Sequence, residues 1–204
     1  MKEKLQIFVK AVLAGISISI GCMVFLSCES KVAGALLFTI GLFTVCTFGF
    51  NLFTGKVCYA LSEKRSYIGD LVIIWLGNFA GSILCSLAMW NTRFAGPLSE
   101  TALTICTKKL SGSYLSTFLL GIFCNICIYI AVDGYKNNPH EIGKYIALFL
   151  GVSVFILAGF EHCVANMFYF TMAGLYTGEM LVFLLVNTAG NIVGGLLIPA
   201  LKKI

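Results

Sequence analysis

Three ionisable residues, Lys56, Glu161 and His162, lie inside long apolar runs of this sequence. Charge in hydrocarbon is costly, so each is a functional candidate. An ion leaving water meets a large solvation penalty, which falls if it is neutralised or faces an opposite charge. A histidine, with an unperturbed pKa of about 6.5, can exchange a proton or donate a hydrogen bond in such surroundings. The bland alternative is a core histidine bonded to backbone. Glu161 beside it, within an interrupted helical pattern, favours function. His140 sits in a polar stretch and is read as solvated. Of the nine cysteines, Cys46, Cys85, Cys124, Cys127 and Cys163 fall in apolar runs without paired CxxC spacing. They are read as small buried hydrophobes rather than disulfides or metal ligands.

The elements that must position these residues are membrane helices. The 204-residue chain is 59% apolar and 11% charged, with mean hydropathy +0.94. So few charges cannot cover a soluble surface but suit one that meets lipid. The length fits one domain, 1–204, with no room for an additional extramembrane enzyme. Six apolar segments, at roughly 7–27, 33–60, 68–90, 114–132, 143–170 and 178–200, are each long enough to cross a bilayer. The run after Lys10 is long enough to remain as the first crossing rather than be cleaved as a signal peptide. The net charge of +5 is spread over the flanking loops, which fits topology better than nucleic-acid binding.

The second and fifth segments carry interruptions, Asn51-Leu52-Phe53-Thr54-Gly55-Lys56 and Glu161-His162-Cys163-Val164-Ala165-Asn166. Irregular backbone at membrane depth is tolerated where it lines a cavity. Gly49-Phe50-Asn51 opens the first break and Gly159-Phe160-Glu161 the second; Gly77-Asn78-Phe79-Ala80-Gly81 and Gly190-Asn191-Ile192-Val193-Gly194 follow them. Matches about 110 positions apart indicate a duplicated three-helix unit, with chance similarity of apolar sequence as the competing reading. Three crossings per unit force the second copy to insert upside down. The repeats are placed at about 7–90 and 114–200, joined by an interfacial linker at 91–113. Glycines at 77–81 and 190–195 let helices approach, and Asn78 and Asn191 are expected to bond neighbouring backbone. With both termini inside, the inner loops hold Lys2, Lys4, Lys10, Lys64, Arg65, Lys136, Lys144, Lys202 and Lys203, against Lys31, Arg93, Lys108 and Lys109 outside. The excess favours cytoplasmic termini in a cell (plasma or inner) membrane.

Gly159-Phe160-Glu161-His162-Cys163-Val164-Ala165-Asn166-Met167 resembles the signature of the formate/nitrite transporter family. Leu52-Phe53-Thr54-Gly55, Gly121-Ile122-Phe123-Cys124-Asn125 and Gly190-Asn191-Ile192-Val193-Gly194-Gly195 are similar to its first break, fourth helix and sixth helix. The resemblance implies an all-α, aquaporin-like membrane protein: six transmembrane helices as two inverted three-helix repeats, the second and fifth broken. It implies a homopentamer with one pore per protomer, and passage of small monovalent anions such as formate, nitrite or hydrosulfide, linked to protons. His162, Glu161, Asn125 and Thr54 would form the pore centre and exchange protons. Leu52, Phe53 and Thr54 would form the constricting loop, Phe38, Leu42 and Phe155 the apolar gates, and Ile128 the wall. Lys109 would attract anions from the outer vestibule. Neither cofactor nor metal is implied. Without the resemblance, Phe38, Leu42 and Phe155 read as ordinary packing.

Three departures qualify this expectation. Asn51 stands where the family usually has glutamate, and Lys56 where it has a small or polar residue. Lys56 is therefore expected to pair with Glu161 or hold the permeating anion, or else to snorkel to the interface. Asn51 and Asn166 are the remaining polar groups of the breaks. Only about nine residues precede the first crossing, which leaves gating by an N-terminal helix doubtful. Competing readings are a nonconducting transporter-derived scaffold or sensor, a neutral-solute channel and an intramembrane enzyme. The neutral-solute channel would carry Asn-Pro-Ala at both breaks, which this chain lacks. The enzyme would need further metal ligands at helical spacing.

Overall fold

The computed structural model describes residues 2–203, and no strand occurs among the described residues. Among the described residues nine α-helices run α1 (Lys2–Ser27), α2 (Lys31–Phe48), α3 (Phe53–Val57), α4 (Tyr67–Trp90), α5 (Ala95–Leu110), α6 (Tyr114–Asn137), α7 (Glu141–Leu157), α8 (Cys163–Met172) and α9 (Gly178–Leu201). A short 3-10 turn, Ala60–Ser62, follows α3. Five of the helices, α1, α2, α4, α6 and α9, are long and apolar enough to cross a bilayer alone. The segments expected at 33–60 and 143–170 are each two helices. They divide into α2 with α3, and α7 with α8.

Glycine ends α2 and α7 in the same way. Gly49 (φ 65°) and Gly159 (φ 71°) adopt the left-handed conformation that side chains disfavour. The following amides turn back, Phe50 N–H to Val45 O at 3.0 Å and Phe160 N–H to Phe155 O at 2.9 Å. This closure satisfies helix-end carbonyls that hydrocarbon could not. Donors and acceptors in both turns lie 110 positions apart, as the repeat requires.

The halves are inverted. Lys4 at the start of α1 pairs with Asp70 at the start of α4. Lys203, beyond α9, donates to Leu61 O at 2.8 Å, and Lys202 reaches Asp133 near the end of α6 at 3.6 Å. The end where α1 starts is thus the end where α6 and α9 finish. Within each half the outer helices pack closely, α1 on α4 and α6 on α9, while α2 and α7 meet across the middle. A Cβ on Gly81 would lie 2.3 Å from Val12 O, and one on Gly194 2.1 Å from Ile122 O. Both contacts are with backbone, which cannot yield, so glycine is required there.

The stretch expected as an interfacial linker contains α5. Leu98, Ala102 and Cys106 on one of its faces are buried, and it packs against α8 and α1. An apolar face at helical spacing explains why this mixed segment folds onto the bundle. It also carries Lys109 to the second break.

Candidate functional site

Both helix breaks are held by an asparagine from the last helix of their half. Asn78 Oδ1 accepts the Phe53 amide at 2.8 Å, while its Nδ2 donates to Ala11 O at 2.8 Å and Asn51 O at 2.9 Å. Asn191 Oδ1 accepts the Cys163 amide at 2.9 Å, and its Nδ2 donates to Gly121 O and Glu161 O, each at 2.8 Å. The three partners in one set lie 110 positions from those in the other. Each asparagine satisfies an orphan amide at the start of α3 or α8 and two carbonyls, where no water is available.

His162 sits between these clamps as the N-cap of α8 and is buried. Its Nδ1 accepts the Ala165 amide at 3.1 Å, and its Nε2 lies 2.9 Å from Thr54 Oγ1. The first bond assigns the tautomer. Nδ1 must present a lone pair, so the neutral ring carries its proton on Nε2 and donates it to Thr54. The hydroxyl proton of Thr54 is then free to donate elsewhere. A second ring proton could enter only at Nδ1, displacing the Ala165 amide and undoing the helix cap.

Apolar side chains enclose this pair. Phe155 stacks on the imidazole at 5.5 Å between centroids, and Phe38 meets Phe155 edge-on at 6.1 Å. Leu42, Leu52, Phe53 and Ile128 are buried in the same core. Asn125 makes no hydrogen bond to the histidine. Its Nδ2 donates to Thr54 O at 3.1 Å, so it holds the residue that holds the ring, and its Oδ1 is buried without a partner.

Glu161 precedes His162. Its carboxylate accepts Lys109 Nζ at 2.5 Å and Asn166 Nδ2 at 2.8 Å, and its carbonyl accepts Asn187 Nδ2 at 2.6 Å. Asn187 also accepts Asn166 Nδ2 on its Oδ1 at 2.8 Å. Asn187 escaped the sequence reading, although a polar residue within an apolar helix, four positions before Asn191, was the available signal. The expected pair between Lys56 and Glu161 does not form. Glu161 is level with Leu120, whose carbonyl accepts its amide at 3.3 Å, whereas Lys56 shares a cavity with Tyr135 and Lys136. Those levels are roughly 22 Å apart along α6 at about 1.5 Å per residue. Lys109 is half-buried against Glu161, so it stands in a neutral pair rather than as a free cation.

The first break lacks this charge pair. Asn51 donates from Nδ2 to Ile7 O at 3.2 Å, and its amide donates to Lys10 O at 3.2 Å. Below it, towards the end that carries the termini, lies a cavity of about 130 Å³. Leu42, Leu52 and Lys56 line it, together with Tyr59, Tyr135 and Lys136, which sequence patterning had not singled out. Among the described residues no group of three His, Cys, Asp or Glu is placed to hold a metal. All nine cysteines are free thiols, six of them buried.

The sequence profile of formate/nitrite transporters matches residues 1–203. The chain belongs to the formate/nitrite transporter family. Formate channel FocA of Haemophilus influenzae is 29% identical over 160 residues, covering 74% of this chain and 56% of that protein. Formate channel FocB of Escherichia coli is 28% identical over 189 residues, covering 82% and 66%. The chain thus spans less than two thirds of the length of these two relatives. A solved pentameric formate channel with formate bound superposes with a TM-score of 0.86 at 29% identity, covering 99% of this chain and 96% of that one. A further family ion channel superposes at 0.85 with 23% identity and shares the fold. The formate/nitrite transporter fold accounts for the inverted halves, the two broken helices and the multi-pass membrane architecture.

Proposed function

We propose that this chain conducts small monovalent anions, formate, nitrite or hydrosulfide, along a proton-linked path through His162. The observation that carries the reading is the buried donor pair of His162 and Thr54 inside an aromatic and aliphatic sleeve. Apolar rings exclude continuous water, so a bare ion crosses poorly. At the centre Nε2–H polarises the Thr54 hydroxyl, whose own proton can bond the permeant. That contact lowers the cost of the anion. Once a second proton has entered at Nδ1, the ring can pass its Nε2 proton to Thr54 as Thr54 hands its own to the anion, leaving a neutral Nδ1–H imidazole. A small neutral acid then passes the Phe38, Leu42, Phe155 and Ile128 walls. Asn125 fixes Thr54, while Leu52 and Phe53 narrow the loop. The Lys109–Glu161–Asn166 cluster holds the second break in register. Exchange of a second proton at Nδ1 couples the ring to the start of α8.

The names of the relatives support formate among the candidates, and the superposed pentamer supports assembly of five protomers with one pore each. The reading places the chain as a single channel domain in the cell membrane with both termini cytoplasmic. Its repeats then occupy about 7–90 and 114–200, with 91–113 between them.

Uptake of formate, nitrite and hydrosulfide into proteoliposomes across a pH series, with His162→Ala alongside, tests the proposal. Uptake should rise as external pH falls and drop at least tenfold in the variant. Absence of flux of all three from folded, reconstituted protein would favour the scaffold or sensor reading.

A further inference from the structure

We propose that Lys56 and Lys136, the latter seated on the Tyr59 ring, form a binding site for a compact oxyanion in the cavity between the first break and the end of the bundle, separate from the His162 pair. As a loading site for the permeant it rests on the channel reading; as a binding site it does not.

The cavity presents polar donors without a compensating acid. Lys56 and Lys136 both line it, and neither forms a salt bridge among the described residues. The nearby carboxylates are otherwise placed. Asp133 is 3.6 Å from Lys202, and Glu63 lies on the exposed turn that precedes α4. The Lys136 ammonium sits 4.4 Å from the centroid of the Tyr59 ring, which holds that side chain against the cavity wall. The Tyr59 hydroxyl is buried and has no partner. With no accessible surface, that hydroxyl is out of reach of a solute in the cavity, so Tyr59 contributes its ring, on which Lys136 rests. Tyr67 donates to Lys56 O at 3.2 Å, fixing the backbone from which Lys56 projects.

Two ammonium groups in a largely apolar wall fit a small carboxylate or inorganic oxyanion. Across the membrane the corresponding attraction is cancelled, because Lys109 is tied to Glu161. The chain is therefore built to gather anions on the side that carries its termini.

Cys46 lines the same cavity and is partly exposed, so it reports on what enters. The full chain, purified in detergent, is treated with anionic sulfonatoethyl, cationic trimethylammonioethyl or neutral methyl methanethiosulfonate. Labelling of the Cys46 peptide is then timed by mass spectrometry. Normalised to a free thiol, the anionic reagent should outpace the cationic one several-fold, and added sodium formate or nitrite should slow it. Lys56→Met with Lys136→Met should erase the preference, Lys56→Arg with Lys136→Arg should keep it, and Tyr59→Leu, which removes the ring under Lys136, should weaken protection a few-fold. Equal wild-type rates, a preference that survives the double methionine variant, or a Cys46 closed even to the neutral reagent would each overturn the site. Labelling is read whether or not the chain conducts. Protection without flux would therefore sink the channel reading and leave the binding site standing.

Discussion

The two helix breaks share a backbone and differ in chemistry. Each begins with a left-handed glycine, and each is clamped by an asparagine making three bonds to partners 110 positions apart in the two halves. Position by position, however, Asn51 faces Glu161, Leu52 faces His162 and Lys56 faces Asn166. The second break thus has an ionic cluster and a side-chain helix cap, whereas the first has neither. Duplication preserved what an irregular chain needs in hydrocarbon, a partner for every amide and carbonyl. It left the side chains free to diverge, into a buried His162–Thr54 pair beside an ion pair at one break and a lysine-lined cavity at the other.

The largest effect that would sharpen this contrast comes from Lys109→Met. It leaves Glu161 buried with Asn166 as its remaining side-chain donor, and stability should fall by about 3–5 kcal/mol. Thermal unfolding in detergent would show it, and adding Glu161→Gln should restore most of the loss. Full stability in Lys109→Met alone would mean the ion pair does not hold the second break.

Removing the shared clamp should affect the halves alike. Asn78→Leu and Asn191→Leu each strand the first amide of α3 or α8, at about 1–3 kcal/mol for a group left unpaired. Similar losses in chemical unfolding would establish that the backbone solution is common to both halves. A loss confined to Asn191→Leu would break the equivalence. The smallest difference concerns Asn51→Ala, which removes one bond to Ile7 O and should cost only about 0.5–1.5 kcal/mol in the same assay. A cost matching that of Lys109→Met would show that the first break depends on its polar residue as much as the second.

Much of this was legible in the chain. The six apolar runs, the paired glycine motifs and an asparagine in the last helix of each half carried the inverted architecture, because hydrocarbon demands long helices and self-satisfied backbone. The membership of His162, Thr54 and the aromatic residues in one buried group followed from the family resemblance, not from periodicity. Phe38 and Phe155 look like any core aromatics until α2 and α7 meet. Patterning also missed Asn187, Tyr59 and Lys136, whose partners lie in other helices.

Sequence by itself determined where the helices run, where they break and which residues could bear charge, since those follow from local hydropathy and glycine conformation. Only the tertiary structure decided the pairings. It gave Glu161 to Lys109 instead of Lys56, aimed Nε2 of His162 at Thr54, and left Lys56 and Lys136 without acids. Such pairings depend on which helix levels coincide across the bundle, and a lysine's reach is short beside the roughly 22 Å that separate the two levels along α6.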